Sequence, residues 1–457
     1  MMAEHTVMTV PMIKDLSLAE LIGMGEFACS CGKTHAAGTK KVIVESGAVK
    51  KLPELIRECG AKKPFLLSGH DSFAAGGAAV TAVLDQAGIP YGSYVFPESP
   101  VKPTETAVGS AVMHFDYSCD IIIGIGSGVI NDTGKILAHI SGRPYIIVGT
   151  APSMDGFASA TSSMDRDSLK ISLDSTFAYA VVGDVDILKN APMHMLLSGV
   201  GDMLAKYISL AEWKMAHILV GDDYCPVIAA LVENALDKVV SAAPKLLQRD
   251  EEAVRSVMEG MVIAGLAMKY AGLSRPASGM EHYFSHIWDM RSLAFPGAEA
   301  ELHGIQCGIA TLYSLKIYEV LRTIKPDKAK ALAYAKQFDL DDWNRQLRAF
   351  VGPAAETMIR AEEKDGKYDT AKHAARLERI LDKWDELKAI MDAMPSYEDV
   401  LQLMQELGAP VSASVIGYTA DDVKTTMTMT KDIRDKYVLS RLLWDLGVTA
   451  KETDFFA

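Results

Sequence analysis

His282 and His286 stand four residues apart in SGMEHYFSHIWDM, residues 278–290. At helical spacing both imidazoles project from one face, and neutral imidazole is a common ligand of divalent metals. ELHGIQCG at 301–308 adds His303, and GVGDMLAKY at 199–207 adds Asp202, with Lys206 four residues further on. Two imidazoles and one carboxylate leave a coordination position open, the ligand set of a catalytic divalent metal. The same residues admit a plainer account. A His pair at this spacing is commonly a core feature, and an Asp–Lys pair four apart is commonly a surface ion pair worth about a few tenths of a kcal/mol.

A second group is GIGSGVINDTGK at 124–135. It follows a strand-like run and opens a helix, so Gly124, Gly126 and Gly128 let the backbone turn tightly and approach a pyrophosphate at the helix N-terminus. The spacing is G-x-G-x-G, not the generic dinucleotide G-x-G-x-x-G, and close packing alone also accounts for such a turn. Next comes TAPSMDGFASATSSM, residues 150–164, with six Ser or Thr and a single acid, Asp155. Its hydroxyls suit a phosphate or a nicotinamide amide, and Asp155 suits a substrate hydroxyl; a solvated loop with Ser/Thr turns is the bland alternative. A fourth group, CSCGKTH at 29–35, carries Cys29, Cys31 and His35. The spacing is cramped for a zinc knuckle and no fourth ligand is near in sequence, so a reduced hairpin is the reading.

The elements that must position these groups are legible from periodicity. PFLLS (64–68), YGSYVF (91–96), DIIIG (120–124) and YIIVG (145–149) are short β-rich runs separated by helical stretches at 72–86, from near Thr104, and at 129–141. That alternation predicts βαβ units and a buried parallel sheet, with ligands at the carboxyl ends of its strands. Residues 150–164 read as a loop, with further β-like runs at 168–173 and 178–187. From Pro192 the pattern is almost wholly helical. The division predicted is an α/β dinucleotide-binding domain over 1–189 and an all-helical metal- and substrate-binding domain over 190–457.

Composition narrows the class. The chain has 457 residues, 49% hydrophobic and 23% charged, with 46 Lys+Arg against 59 Asp+Glu for a net charge of −13. That acidity argues against nucleic-acid or membrane-surface partners, which need a basic face, and an anionic substrate must meet local cations. Six cysteines are too sparse for a disulfide scaffold. No stretch reaches about 18 uninterrupted apolar residues, and the N-terminal stretch with Glu4, His5, Lys14 and Asp15 lacks the apolar core of a secretory signal. A soluble, reduced, cytoplasmic protein is expected.

Taken in order, FACSCGKTH, GIGSGVINDTGK, TAPSMDGFASATSS, GVGDMLAKY, SRPASGMEHYFSHIWDM, LHGIQCG and IRDKYVLSRLLWDLG resemble the glycerol-1-phosphate dehydrogenase branch of the superfamily of iron-type alcohol dehydrogenases, glycerol dehydrogenase and dehydroquinate synthase. The resemblance runs from about residue 25 to 447. It implies a dehydroquinate synthase-like fold: a Rossmann-like α/β domain for NAD or NADP, an all-α domain, and one divalent metal, zinc or nickel. By motif position, Asp202, His282 and His303 match the metal ligands, and His286 a supporting or proton-relay position. Gly126, Ser127, Gly128 and Asp132 match the pyrophosphate turn. Thr150 and Ser153 match residues beside the phosphates and nicotinamide, and Asp155 one facing the substrate.

The resemblance also implies the activity, interconversion of dihydroxyacetone phosphate and sn-glycerol 1-phosphate by hydride transfer, and a homodimer or larger assembly. Lys206 and Arg275 are the cations placed to meet the substrate phosphate. Three positions depart from the family pattern. Gly69, followed by His70 and Asp71, stands where many relatives have an acid for the adenosine ribose, which leaves NAD and NADP undistinguished. Gly134 replaces a frequent Thr, and Met280 a frequent Ser. The alternatives are a polyol or glycerol dehydrogenase of the same fold acting on an unphosphorylated substrate, a dehydroquinate-synthase-like cyclase, and a nucleotide-binding module without catalysis. The proposed metal uses no thiolate, so Cys29 and Cys31 are expected to be bystanders.

Overall fold

The β-rich runs between residues 64 and 149 become the middle of one parallel sheet. A computed structural model describes residues 7–166, 169–295, 301–450 and 453–456; Glu4, His5 and residue 168 of the expected run at 168–173 lie outside them. The strands are β1 Glu26–Ala28, β2 Thr34–Ala36, β3 Lys41–Glu45, β4 Pro64–Gly69, β5 Gly92–Phe96, β6 Ile121–Gly126, β7 Tyr145–Gly149, β8 Thr161–Arg166, β9 Leu169–Asp174 and β10 Ala180–Asp184. Six of them form a parallel sheet in the order β3-β10-β7-β6-β4-β5. The central strands β4, β6, β7 and β10 are buried at every position, whereas the edges β3 and β5 are partly exposed. That burial is why the central strands read as unbroken apolar runs.

Between β4 and β6 the strand order reverses direction, the position at which such sheets bind ligands. Ile121, Ile123 and Ile125 pack on one face with Leu52, Leu55 and Ile56 of α1 (Leu52–Glu58) and Val80 and Leu84 of α2 (Ala78–Gln86). The alternate positions Gly124 and Gly126 face the other way, toward the helix that follows β6. After β5 comes α3 (Glu105–Met113), capped by Thr104, and after β6 comes α4 (Gly128–Ser141). Gly142, at φ +65°, ends α4 in the left-handed conformation.

The segment read as a loop over 150–164 is shorter than expected: β8 begins at Thr161 and pairs antiparallel with β9. Residues 29–33 form the turn that joins β1 to β2, and His35 lies in β2. The expectation that no fourth donor accompanies Cys29, Cys31 and His35 does not hold, because Cys225 lies against them.

From residue 193 the described chain is helical: α5 Met193–Leu204, α6 Lys206–Val220, α7 Pro226–Ala242, α8 Glu251–Ala271, α9 Met280–Ala294, α10 His303–Thr323, and shorter helices through Leu439–Asp445. The helix expected to carry Asp202 and Lys206 on one face is interrupted at Ala205, so Asp202 lies in the last turn of α5 and Lys206 opens α6. Two compact units result: Met1–Met203 with Cys225–Ser274, and Leu204–Tyr224 with Arg275–Ala457. The sequence suggests a single cut after residue 189. Helices α7 and α8, however, sit in the compact unit that holds the sheet.

No helix among the described residues is long and apolar enough to cross a membrane.

Candidate functional site

In the first unit, the glycine turn separates packing from function residue by residue. A Cβ on Gly124 would lie 2.4 Å from the Tyr145 hydroxyl, and one on Gly134 would lie 2.7 Å from the same ring. A Cβ on Gly126 would meet Ile130 at 2.6 Å. These three glycines let α4 lie against β6 and β7. The Gly134 departure has its reason here, since Tyr145 fills the space a Thr would need. Gly128 is different: a Cβ there meets only Met154, at 3.4 Å. Packing therefore explains three of the four glycines and leaves Gly128 for another purpose.

Ser127 occupies the N-cap of α4, yet its side chain caps no helical N–H. Its Oγ instead lies 2.6 Å from Ser153 Oγ and donates to the Ala151 carbonyl at 3.2 Å. The first-turn amides of α4 thus lack a side-chain cap, the condition for anion binding. Thr150 is held beside them by its N–H bond to the Gly126 carbonyl, 3.0 Å. Asp132 is one turn further on and engaged elsewhere. Its carboxylate pairs with Lys135 at 2.9 Å and accepts the Ser163 N–H at 3.0 Å, joining α4 to β8.

Lys135, which sequence reasoning left without a role, is fully buried and organises the loop after β7. Its Nζ donates to the carbonyls of Gly156 and Thr161, and Asn131 Nδ2 adds a 3.0 Å bond to Gly156. At the end of β4, Asp71 supplies a carboxylate two residues after Gly69. Hydrogen bonds from Ser99 and His70 hold it below the usual carboxylate range.

The loop descends onto two helices through two further glycines. A Cβ on Gly199 of α5 would lie 2.0 Å from the Pro152 carbonyl, and one on Gly265 of α8 would lie 2.8 Å from the Asp155 carbonyl. Ser198 Oγ donates to the Ser153 carbonyl at 2.8 Å, and Asp202 Oδ2 accepts the Asp155 N–H at 3.0 Å. Asp202 is completely buried, and one of its oxygens lies within 4.8 Å of an Asp155 oxygen.

In the second unit, the two helix N-termini of α9 and α10 bring His282 and His303 together, with ring centroids 4.9 Å apart. Their tautomers follow from their partners. Glu281 Oε1 accepts the Gly279 N–H at 2.8 Å and also lies 2.8 Å from His282 Nδ1. That nitrogen therefore carries its proton toward Glu281, which makes Nε2 the basic nitrogen of the ring. Ser285 Oγ donates to Gln306 Oε1 at 2.7 Å, so its lone pair meets His303 Nδ1 at 2.9 Å. Gln306 is itself oriented by Asp289. Both imidazoles thus have Nδ1 fixed by a partner, and burial holds His282 well below its usual range. Cys307 Sγ lies 3.6 Å from His303 Nε2 and is a third donor within 4.8 Å, which sequence reading missed. His286, one turn after His282, stacks with His303 at 6.3 Å.

Around this pair lies a buried charged group that the motifs contained without revealing. Gly279 separates Glu212 from Glu281; a Cβ on it would lie 2.7 Å from an oxygen of each. Burial pushes Glu212 up to about 7 and, with Glu212 beside it, Glu281 up to about 8. Glu212 accepts the N–H groups of Met280 and Leu439, which gives Met280 a backbone role in place of a hydroxyl. Lys206 is fully buried and donates to the Ala277 carbonyl at 3.1 Å. Lys436 donates to the Ser278 carbonyl at 2.9 Å, and burial brings its ammonium down to about 7. Arg275 is employed otherwise than expected for a phosphate ligand. Its guanidinium, 4% exposed, pairs with Asp222 through Nε and Nη2 and donates from Nη1 to the Tyr437 carbonyl.

Residues 43–192 match the iron-containing alcohol dehydrogenase family. The glycerol-1-phosphate dehydrogenase [NAD(P)+] of Halalkalibacterium halodurans is 31% identical over 295 residues, 64% of this chain and 74% of that protein. The enzyme of the same name from Bacillus subtilis is 29% identical, over 70% and 84% of the two chains. Among solved structures, glycerol dehydrogenase from Schizosaccharomyces pombe superposes with a TM-score of 0.59 at 15% identity, over 90% of this chain and 88% of that one. This last likeness speaks to the fold alone.

Proposed function

The chain belongs to the glycerol-1-phosphate dehydrogenase family, and from that premise we propose that it interconverts dihydroxyacetone phosphate and sn-glycerol 1-phosphate with NAD or NADP. Asp202, His282 and His303 are the proposed ligands of one divalent metal. The observation that supports this most is the oriented imidazole pair, His282 Nδ1 at 2.8 Å from Glu281 and His303 Nδ1 at 2.9 Å from Ser285, which makes Nε2 the ligating nitrogen of each ring. Two imidazoles with a carboxylate suit zinc or nickel. A metal bound there would polarise the substrate oxygen, while the nicotinamide would carry the hydride.

The chain's own residues do the rest. The uncapped first turn of α4, with Gly126, Ser127 and Gly128, binds the pyrophosphate, and Thr150 and Ser153 line it. Asp132 acts indirectly, by joining α4 to β8. Asp71 is the acceptor proposed for a ribose hydroxyl, which favours NAD over the 2′-phosphate of NADP. Asp155 orients a substrate hydroxyl and His286 holds the proton that leaves or enters the substrate oxygen. Lys206 is the cation proposed for the substrate phosphate; Arg275 was expected to share that task, and its engagement with Asp222 transfers the weight to Lys206. The cytoplasmic setting and a homodimeric or larger assembly belong to the same proposal.

The deciding experiment follows NADH and NADPH oxidation by metal-loaded protein with dihydroxyacetone phosphate and with dihydroxyacetone. A rate specific to the phosphorylated ketone, with sn-glycerol 1-phosphate found by chiral analysis, is expected. Equal rates with both ketones would make it a polyol dehydrogenase. In the same assay, His286→Ala should alter the pH–rate profile; an unaltered profile removes the relay.

A further inference from the structure

Cys29, Cys31, His35 and Cys225 converge within the first unit, although the last lies 196 residues from the first. We propose that these four side chains form a structural zinc site, separate from the dehydrogenase centre and independent of its function.

The geometry is that of a tetrahedron without its centre. Zinc–sulfur bonds of about 2.3 Å and zinc–nitrogen bonds of about 2.0–2.1 Å give edges of about 3.8 Å between sulfurs and about 3.6 Å between sulfur and nitrogen. Cys29 Sγ and Cys225 Sγ lie 3.6 Å apart; His35 Nε2 lies 3.3 Å from Cys31 Sγ and 3.5 Å from Cys225 Sγ. All four donor atoms fall within 4.8 Å of one another. None of the cysteines is in a disulfide.

The surroundings are built for ligation. His35 Nδ1 lies 2.7 Å from the Tyr270 carbonyl at the end of α8, which puts the proton on Nδ1 and the lone pair of Nε2 toward the three sulfurs. Phe27 packs against the His35 ring at 5.4 Å and against Tyr270 at the same distance, so the imidazole is held in place. Cys29 and Cys31 sit in a tight turn closed by the bonds Cys29 N–H to Lys33 carbonyl and Gly32 N–H to Cys29 carbonyl, both 2.9 Å. Gly32, at φ +86°, makes that turn possible. Cys225 stands at the N-cap of α7, directly before Pro226, and a helix N-terminus favours a thiolate. Cys29, His35 and Cys225 are buried, and Cys31 is half-buried.

Three thiolates and an imidazole are soft donors that select zinc over the hard cations. The ion would tie the β1–β2 turn to the start of α7, with Tyr270 of α8 as the outer support. Four donors close the coordination sphere, so the site would have no catalytic position.

The test uses the full-length chain purified under thiol protection and analysed for zinc by mass spectrometry and by X-ray absorption at the zinc edge. A zinc population with three sulfur neighbours at about 2.3 Å and one nitrogen neighbour is expected. Replacing zinc by cobalt should give the sulfur-to-cobalt charge-transfer band of a tetrahedral thiolate site. Cys31→Ser, at the half-buried position, should lose one zinc per chain with unchanged circular dichroism, and Cys59→Ser, outside both donor clusters, should keep it. Zinc without sulfur neighbours, or a Cys29–Cys225 disulfide in protein alkylated at lysis, would overturn the proposal. A Cys31→Ser protein that fails to fold leaves the wild-type absorption spectrum to decide.

Discussion

Ser285 Oγ lies 2.9 Å from His303 Nδ1 because its own proton is given to Gln306, 2.7 Å away on the next helix. A hydroxyl with one proton cannot serve both neighbours as donor, so Gln306 decides the tautomer of His303. Ser285→Ala removes the acceptor, and the metal dissociation constant should rise about 10–100-fold. Competition with a chromogenic chelator measures it. Unchanged affinity would mean that His303 is not a ligand.

Gly128 separates a cofactor role for the glycine turn from a packing role. A Cβ there meets Met154 at 3.4 Å, a contact the fold absorbs. Gly128→Ala should leave the melting temperature unchanged while raising the NADH dissociation constant by at least about tenfold, roughly 1.4 kcal/mol. Fluorescence titration reads this directly. Tight NADH binding in the variant would return the turn to packing alone.

Gly134 and Tyr145 should behave as one unit. Gly134→Ala pushes a methyl to 2.7 Å from the ring, and overpacking of this kind costs about 1–3 kcal/mol. In a Tyr145→Val background the same change should cost much less, and denaturant midpoints of the four proteins give the coupling. Additive losses would show that the ring is not the obstacle.

Arg275 offers a choice between bracing and phosphate binding. Its bonds to Asp222 and the Tyr437 carbonyl predict that Arg275→Ala loses about 1.5–3 kcal/mol of stability, with little change in KM for dihydroxyacetone phosphate. A ten- to hundredfold KM increase at an unchanged melting temperature would assign the guanidinium to the substrate instead.

The α/β half was legible because its determinants are local. Runs such as IIIGIG and YIIVG are apolar at every position because both faces of those strands are covered, and the turn after Gly126 announces the helix it opens. His282 and His286 were legible for the same reason, as neighbours on one helical turn. Chain order decided none of the relationships that follow. Tyr145 explains Gly134 only when β7 lies beside β6, and Asp222 claims Arg275 across 53 residues. Gly199 and Gly265 look like ordinary helical glycines until the 150–160 loop is laid on them. Cys225 joins Cys29, Cys31 and His35 from 190 residues beyond the imidazole. Periodicity and turn chemistry act over a few residues and are written in sequence; which distant side chains share one buried volume is settled by packing, and so only by the tertiary structure.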